Sequence, residues 1–113
     1  QFYCQKLNFK LLEDTVLTPD KRWVVVVPPG GEGCQILLAK ASGEEQRSRI
    51  GNQTGGRVFL FMHTDDLDTD YRNLVSQGVT IVRPPSSEPY GKVLVFADLY
   101  GNLWDLIEPI SQD

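Results

Sequence analysis

His63 is the single histidine of the chain, and histidine is the residue type most often used to move a proton or to ligate a metal. Asp105 is the other side chain with evident chemical capacity. It stands between Trp104 and Leu106 in a stretch that reads as a strand, and a carboxylate among apolar neighbours needs a partner, a ligand or water. Strand alternation puts Phe59, Phe61 and His63 on one face and Val58, Leu60 and Met62 on the other. Aromatic rings therefore accompany the histidine. Asp98 heads the run Asp98-Leu99-Tyr100-Gly101-Asn102 and is expected to accept backbone N–H bonds within a turn. Glu13 and Glu108 stand near element ends and read as solvated. Cys4 and Cys34 match no zinc spacing and read as free, buried thiols. Gly30-Gly31-Glu32-Gly33 joins two strands and precedes no helix, which argues against a phosphate loop.

The elements that must hold these groups follow from the apolar pattern. Residues 1–7 have near-helical spacing, with Asn8 and Phe9 as an extended exit. Val16 and Leu17 suggest a short strand before the turn Thr18-Pro19-Asp20-Lys21, and residues 23–27 form a β-branched strand. Residues 28–31 turn the chain into a partner strand over 34–39, and the polar stretch 41–57 reads as a linker. Beyond it come a strand over 58–64 and a helix with an acidic start at 65–69. The apolar stripe of that helix is Leu67, Tyr71, Leu74 and Val75, and Gly78 ends it. Residues 79–82 leave as a strand, the proline-rich run 84–91 is not expected to continue a central strand, and a hairpin of 92–97 and 103–108 comes after.

The two halves repeat at an offset of 70. Residues 8–12 lie over 78–82, Val25 and Val26 over Val95 and Phe96, Gly31 over Gly101, and Gln35 over Asp105. Each half is a sheet-and-helix unit that cannot bury its own face alone. The strand over 58–64 has no counterpart in the first half. Such a counterpart would precede residue 1, so an additional leading strand is expected in the native protein.

Bulk properties narrow the partners. The chain has 113 residues, 41% of them hydrophobic, 23% charged, and a net charge of -4. One domain that buries roughly two-thirds of its unfolded surface is expected. Scattered Lys and Arg give no phosphate-binding footprint, so nucleic acid is not an expected partner. The longest apolar run, 23–29, is too short to span a bilayer, and no signal-peptide pattern opens the sequence. The protein is expected to be cytoplasmic, with no membrane partner.

Phe2-Tyr3 and Leu7-Asn8-Phe9, the pair Gly78-Val79, Pro89-Tyr90-Gly91, and Phe96-Ala97-Asp98 leading to Gly101-Asn102 and Leu106 resemble the motifs of the vicinal oxygen chelate superfamily. Asn8 stands where that family usually has glycine. The superfamily is also called the glyoxalase/bleomycin resistance protein/dioxygenase family. The resemblance covers essentially the whole chain and implies an α+β fold of paired βαβββ modules, forming a cup-shaped mixed sheet with helices outside. It would divide the chain into a first module at 1–40, the linker 41–57 and a second module at 58–109. It further implies a small-molecule ligand, a homodimer, and either no cofactor or a divalent metal that acts as a Lewis acid. Transferring the family's metal positions puts them at Gln35, Phe59 and Asp105, with one more in the absent strand. Phe59 cannot ligate, so Gln35 and Asp105 are the remaining metal candidates, and oxygen donors suit hard cations.

The expectation is a protein that binds an organic ligand in an aromatic-lined cup with a degenerate metal site. Gln35, Phe59, Phe61 and Tyr90 would contact ligand, and the 86–91 loop could close over it. His63 and Asp105 would carry any catalysis. Rival expectations are a metal-dependent glyoxalase-like lyase, isomerase or dioxygenase, and a structural dimerisation module. An unrelated ferredoxin-like α+β domain is the rival fold.

Overall fold

A computed structural model describes residues 1–30 and 35–110. The chain divides into two compact units between Ser48 and Arg49. Cys34, expected to be a buried thiol, and the expected turn residues Gly31, Glu32 and Gly33 lie outside the described residues. Cys4 is a free, half-buried thiol.

The first unit opens with one π-helical turn, Phe2–Lys6. Asn8 then takes a left-handed backbone, φ 61°, which asparagine tolerates better than most residues because its amide can bond locally. Phe9 comes next, buried, and donates its N–H to the Tyr3 carbonyl at 2.9 Å. Three strands complete the sheet of this unit: β1, Lys10–Thr18; β2, Lys21–Val27; and β3, Ile36–Leu38. They are antiparallel, in the order β1-β2-β3. The short strand expected at 16–17 is thus part of a longer one that begins at Lys10. No residue of β1 is buried, so it lacks the apolar alternation by which a half-buried strand is recognised. Val25, Val26 and Val27 supply the buried centre of this sheet. A short helix, α1, Glu44–Ser48, lies within the stretch expected to be linker.

The second unit contains β4, Leu60–His63; α2, Leu67–Ser76; β5, Thr80–Glu88; β6, Gly91–Ala97; and β7, Leu103–Pro109. Its sheet order is β4-β7-β6-β5, with β4 parallel to β7 and the remaining pairs antiparallel. The N–H of Phe59 donates to the Leu103 carbonyl at 2.7 Å and that of Thr64 to Ile107 at 2.8 Å. These bonds extend the parallel pairing over most of the expected 58–64 strand. Asp66 caps α2 by accepting from the Thr69 N–H at 3.2 Å, and Gly78 ends it at φ 77°. The Glu108 carboxylate is not merely solvated. It accepts the Leu67 N–H at 3.0 Å and ties the helix start to β7, satisfying a donor that the first turn of a helix leaves without a partner.

Leu67 and Leu74 of α2 are buried, as are Leu94, Phe96, Trp104 and Leu106 on alternating positions of β6 and β7. Lys92 and Glu108 belong to that same face and reach Asp68 and Leu67 of the helix. The core of this unit lies between α2 and that face. The other face of the sheet carries the odd-numbered residues of β4, β6 and β7.

Pro84 and Pro85 do not end β5, contrary to the expectation for 84–91. The strand runs to Glu88, and only Pro89 and Tyr90 turn the chain. Proline fails in a sheet because it lacks a ladder donor. β5 is the edge strand, and its register skips between Arg83 and Ser86, where the two prolines stand.

The repeat survives in three dimensions for part of its length. Bounds of β1 and β5, and of β2 and β6, differ by 70, and both outer strands carry an irregularity at the same place, Leu11/Glu13 and Ile81/Arg83. Asn8 and Gly78 share the left-handed backbone. At the third strand the correspondence slips. Val26 pairs with Ile36, ten positions on, whereas Phe96 pairs with Trp104, eight positions on. Hence Leu37, which pairs with Val25, is the counterpart of Asp105, which pairs with Val95, and Gln35 is not.

Candidate functional site

On the face of the second sheet turned away from α2, one row crosses all four strands: Phe61 of β4, Asp105 of β7, Val95 of β6 and Arg83 of β5. Residues paired in register point to the same side of a sheet. Phe61 is 66% exposed, and Val95 is buried beneath the row as an apolar floor. Asp105 is half-buried. Burial pushes its carboxyl above the usual carboxylate range, and the positive charge of Arg83 partly offsets that effect.

The next row holds His63, Ile107, Val93 and Ser86. His63 is exposed and lies two positions, roughly 7 Å, along β4 from Phe61. Phe59, half-buried, lies two positions to the other side. Phe59, Phe61, His63 and Asp105 are thereby brought onto one surface. Tyr90 is not brought against them. It is exposed in the β5–β6 turn, five positions before Val95, and its carbonyl accepts from the Ile110 N–H at 3.2 Å. Gln35 belongs to the first unit, where it is exposed.

Asp98 is buried and holds the β6–β7 turn. Its carboxylate accepts from the N–H groups of Tyr100 at 3.0 Å and Asn102 at 2.9 Å, and from the Asn102 side-chain amide at 2.9 Å. That is a structural use of the side chain, as its place in the turn suggested. Arg83 was missed by sequence reasoning because the strand was expected to stop at Val82. The available signal was that β-edge strands admit proline.

The donors of this face do not fit a divalent metal. No group of three or more His, Cys, Asp or Glu side chains comes together among the described residues. The one carboxylate of the central row has a phenyl ring on one side and a guanidinium two strands away on the other. A hard cation needs several oxygens and gains nothing from a neighbouring positive charge.

The family model of the Glyoxalase/Bleomycin resistance protein/Dioxygenase superfamily matches residues 1–106. The chain belongs to this superfamily. A protein of Shewanella frigidimarina (strain NCIMB 400) is 57% identical to it over 108 residues, covering 95% of this chain and 80% of that relative. Among solved structures, UcmS2 has a TM-score of 0.83 at 29% identity, with 95% of this chain and 84% of that one covered. TnmS3, an antibiotic binding protein from Streptomyces sp. CB03234, has a TM-score of 0.74 at 28% identity, with 96% and 81% covered. The fold is the α+β glyoxalase/bleomycin resistance fold, as the residues 78–106 and 2–9 suggested. No helix among the described residues is long and apolar enough to cross a membrane.

Proposed function

We propose that this superfamily member binds a small organic ligand with an aromatic body, without a metal, on the sheet face that carries Phe59, Phe61, His63 and Asp105. Its setting in this reading is a cytoplasmic homodimer. The observation that carries it is the pairing of an exposed Phe61 ring with the half-buried Asp105 carboxylate in one row. An apolar surface with one or two convergent polar groups is the usual form of a small-molecule site. TnmS3, a similar structure that binds an antibiotic, supports a small-molecule ligand.

Calorimetric titration with planar aromatic compounds tests the proposal. Phe61→Ala is expected to weaken binding by about 30-fold, the equivalent of about 2 kcal/mol of lost ring burial. Mn²⁺, Ni²⁺ and Zn²⁺ at millimolar concentration are expected to leave the melting temperature unchanged. A saturable stabilisation by one of these ions that disappears in Asp105→Ala would overturn the reading in favour of a metal-dependent lyase or isomerase.

A second reading draws on the upward shift of Asp105. A carboxylate made more basic by burial, one row from an imidazole, is suited to general base catalysis. Turnover of a carbonyl substrate that is lost in Asp105→Asn at every pH would select it.

A further inference from the structure

We propose that Arg83 is the specificity-determining residue of this face, selecting ligands whose aromatic body carries an anionic group at one end. The inference rests on the reading of this face as the ligand site.

The row Phe61–Asp105–Val95–Arg83 crosses four adjacent strands, which is three strand spacings or roughly 14 Å. That length accommodates a two- or three-ring compound lying across the strands. Phe61 and Val95 supply an apolar bed, and charge sits at two of the four positions. β6 separates Arg83 from Asp105. The salt bridges formed among the described residues are Arg22 with Asp14 and Lys92 with Asp68, and neither involves Arg83. Arg22, equally placed on a sheet, is held by both oxygens of Asp14 at 2.6 and 2.5 Å. Arg83 has no such carboxylate across from it, because its register partner is Val95.

The backbone fixes where the guanidinium starts from. Register irregularities flank Arg83 on both sides, Ile81/Arg83 and Arg83/Ser86, and two prolines come directly after it. A bulge re-aims a side chain, and proline freezes φ, so the position is held although the strand is an edge. The sign of charge at this place is particular to the second unit. The corresponding residues of the first are Glu13 and Leu37 in place of Arg83 and Asp105.

The other charged or titratable groups of the face are His63, one row away, and Glu88, at the far end beside Ser86. Of the two charged side chains in the central row, the guanidinium is exposed on the edge strand, two strands away from the half-buried Asp105. An anionic group at the β5 end of the row therefore meets the positive charge first. A planar fork of N–H donors also matches a carboxylate in two places at once.

The test is a matched series measured by calorimetry at one ionic strength: 2-naphthoate, 2-naphthamide and (2-naphthyl)methylammonium. The wild-type protein is expected to bind naphthoate about tenfold more tightly than naphthamide, and the ammonium compound least. In Arg83→Met the preference for naphthoate over naphthamide should vanish while the melting temperature stays unchanged. Arg83→Lys should restore part of it. Equal binding of naphthoate and naphthamide, or a preference that survives Arg83→Met, overturns this inference alone. Failure of the folded protein to bind any of the three overturns the ligand-face reading and the inference with it.

Discussion

Replacing Asp98 by alanine separates a structural carboxylate from a catalytic one. The side chain is buried and accepts from the Tyr100 and Asn102 N–H groups and from the Asn102 amide, all within 3.0 Å. Hydrogen bonds to a charged acceptor contribute about 1.5–3 kcal/mol each, but donors in a turn regain water when the acceptor is deleted. A net loss of about 3 kcal/mol is the reasoned figure. A chain of 113 residues unfolds with an entropy of about 0.24 kcal/mol/K. The melting temperature of Asp98→Ala should therefore fall by about 12 °C in a calorimetric scan. Asp98→Asn keeps one acceptor and should fall by less. Aromatic-ligand affinity, measured well below the transition, should match wild type in both. A fall of under about 3 °C, a quarter of the figure expected from the entropy of unfolding, would refute the assignment. Normal stability with lost binding would refute it equally.

Two further outcomes are expected. Gly91 has φ 143°, and a Cβ there would stand 2.2 Å from the Glu108 carbonyl oxygen, so Gly91→Ala should cost about 2 kcal/mol or more in denaturant titrations. Asp105→Asn should raise the melting temperature at pH 7 but not at about pH 3, below the ordinary carboxylate range. The folded-state pKa of Asp105 lies above its ordinary value of 3.8. The folded protein thus holds the proton more tightly, and stability declines as pH rises from that value through the folded one. An equal gain at both pH values would contradict the sign.

Elements with a buried face were legible in the residues. The valines of β2 form a β-branched run with 25–27 buried. Leu67 and Leu74 of the helical stripe, and Leu94, Phe96, Trp104 and Leu106 of the hairpin around Asp98, recur at helix or strand spacing because that side of each element is buried. β1 was not legible from residue 10, since none of its residues is buried and its apolar members Leu11, Leu12, Val16 and Leu17 obey no alternation. Pro84 and Pro85 argued for a loop, yet strand order decides whether proline is tolerated, and strand order is a long-range property. The same limit hid Arg83. The common face of Phe59, Phe61 and His63 came from alternation alone, but its alignment with Asp105 depends on parallel pairing between strands distant in sequence. Glu108 as a helix cap depends on the same kind of distant pairing.

The slip between the two hairpins has an evolutionary reading. Val26 pairs ten positions on and Phe96 eight. Two extra positions before β3 slide the returning strand by one full pleat, roughly 7 Å, and leave the same alternate side chains facing the core. A slip of one would turn the strand inside out. Even-numbered insertions in a hairpin are thus a route by which duplicated halves exchange one residue for another at a reactive position, Leu37 against Asp105, while every packing face stays as it was. Adding or removing residue pairs within 98–102 should let an engineer re-seat the chemistry of the second half in the same way.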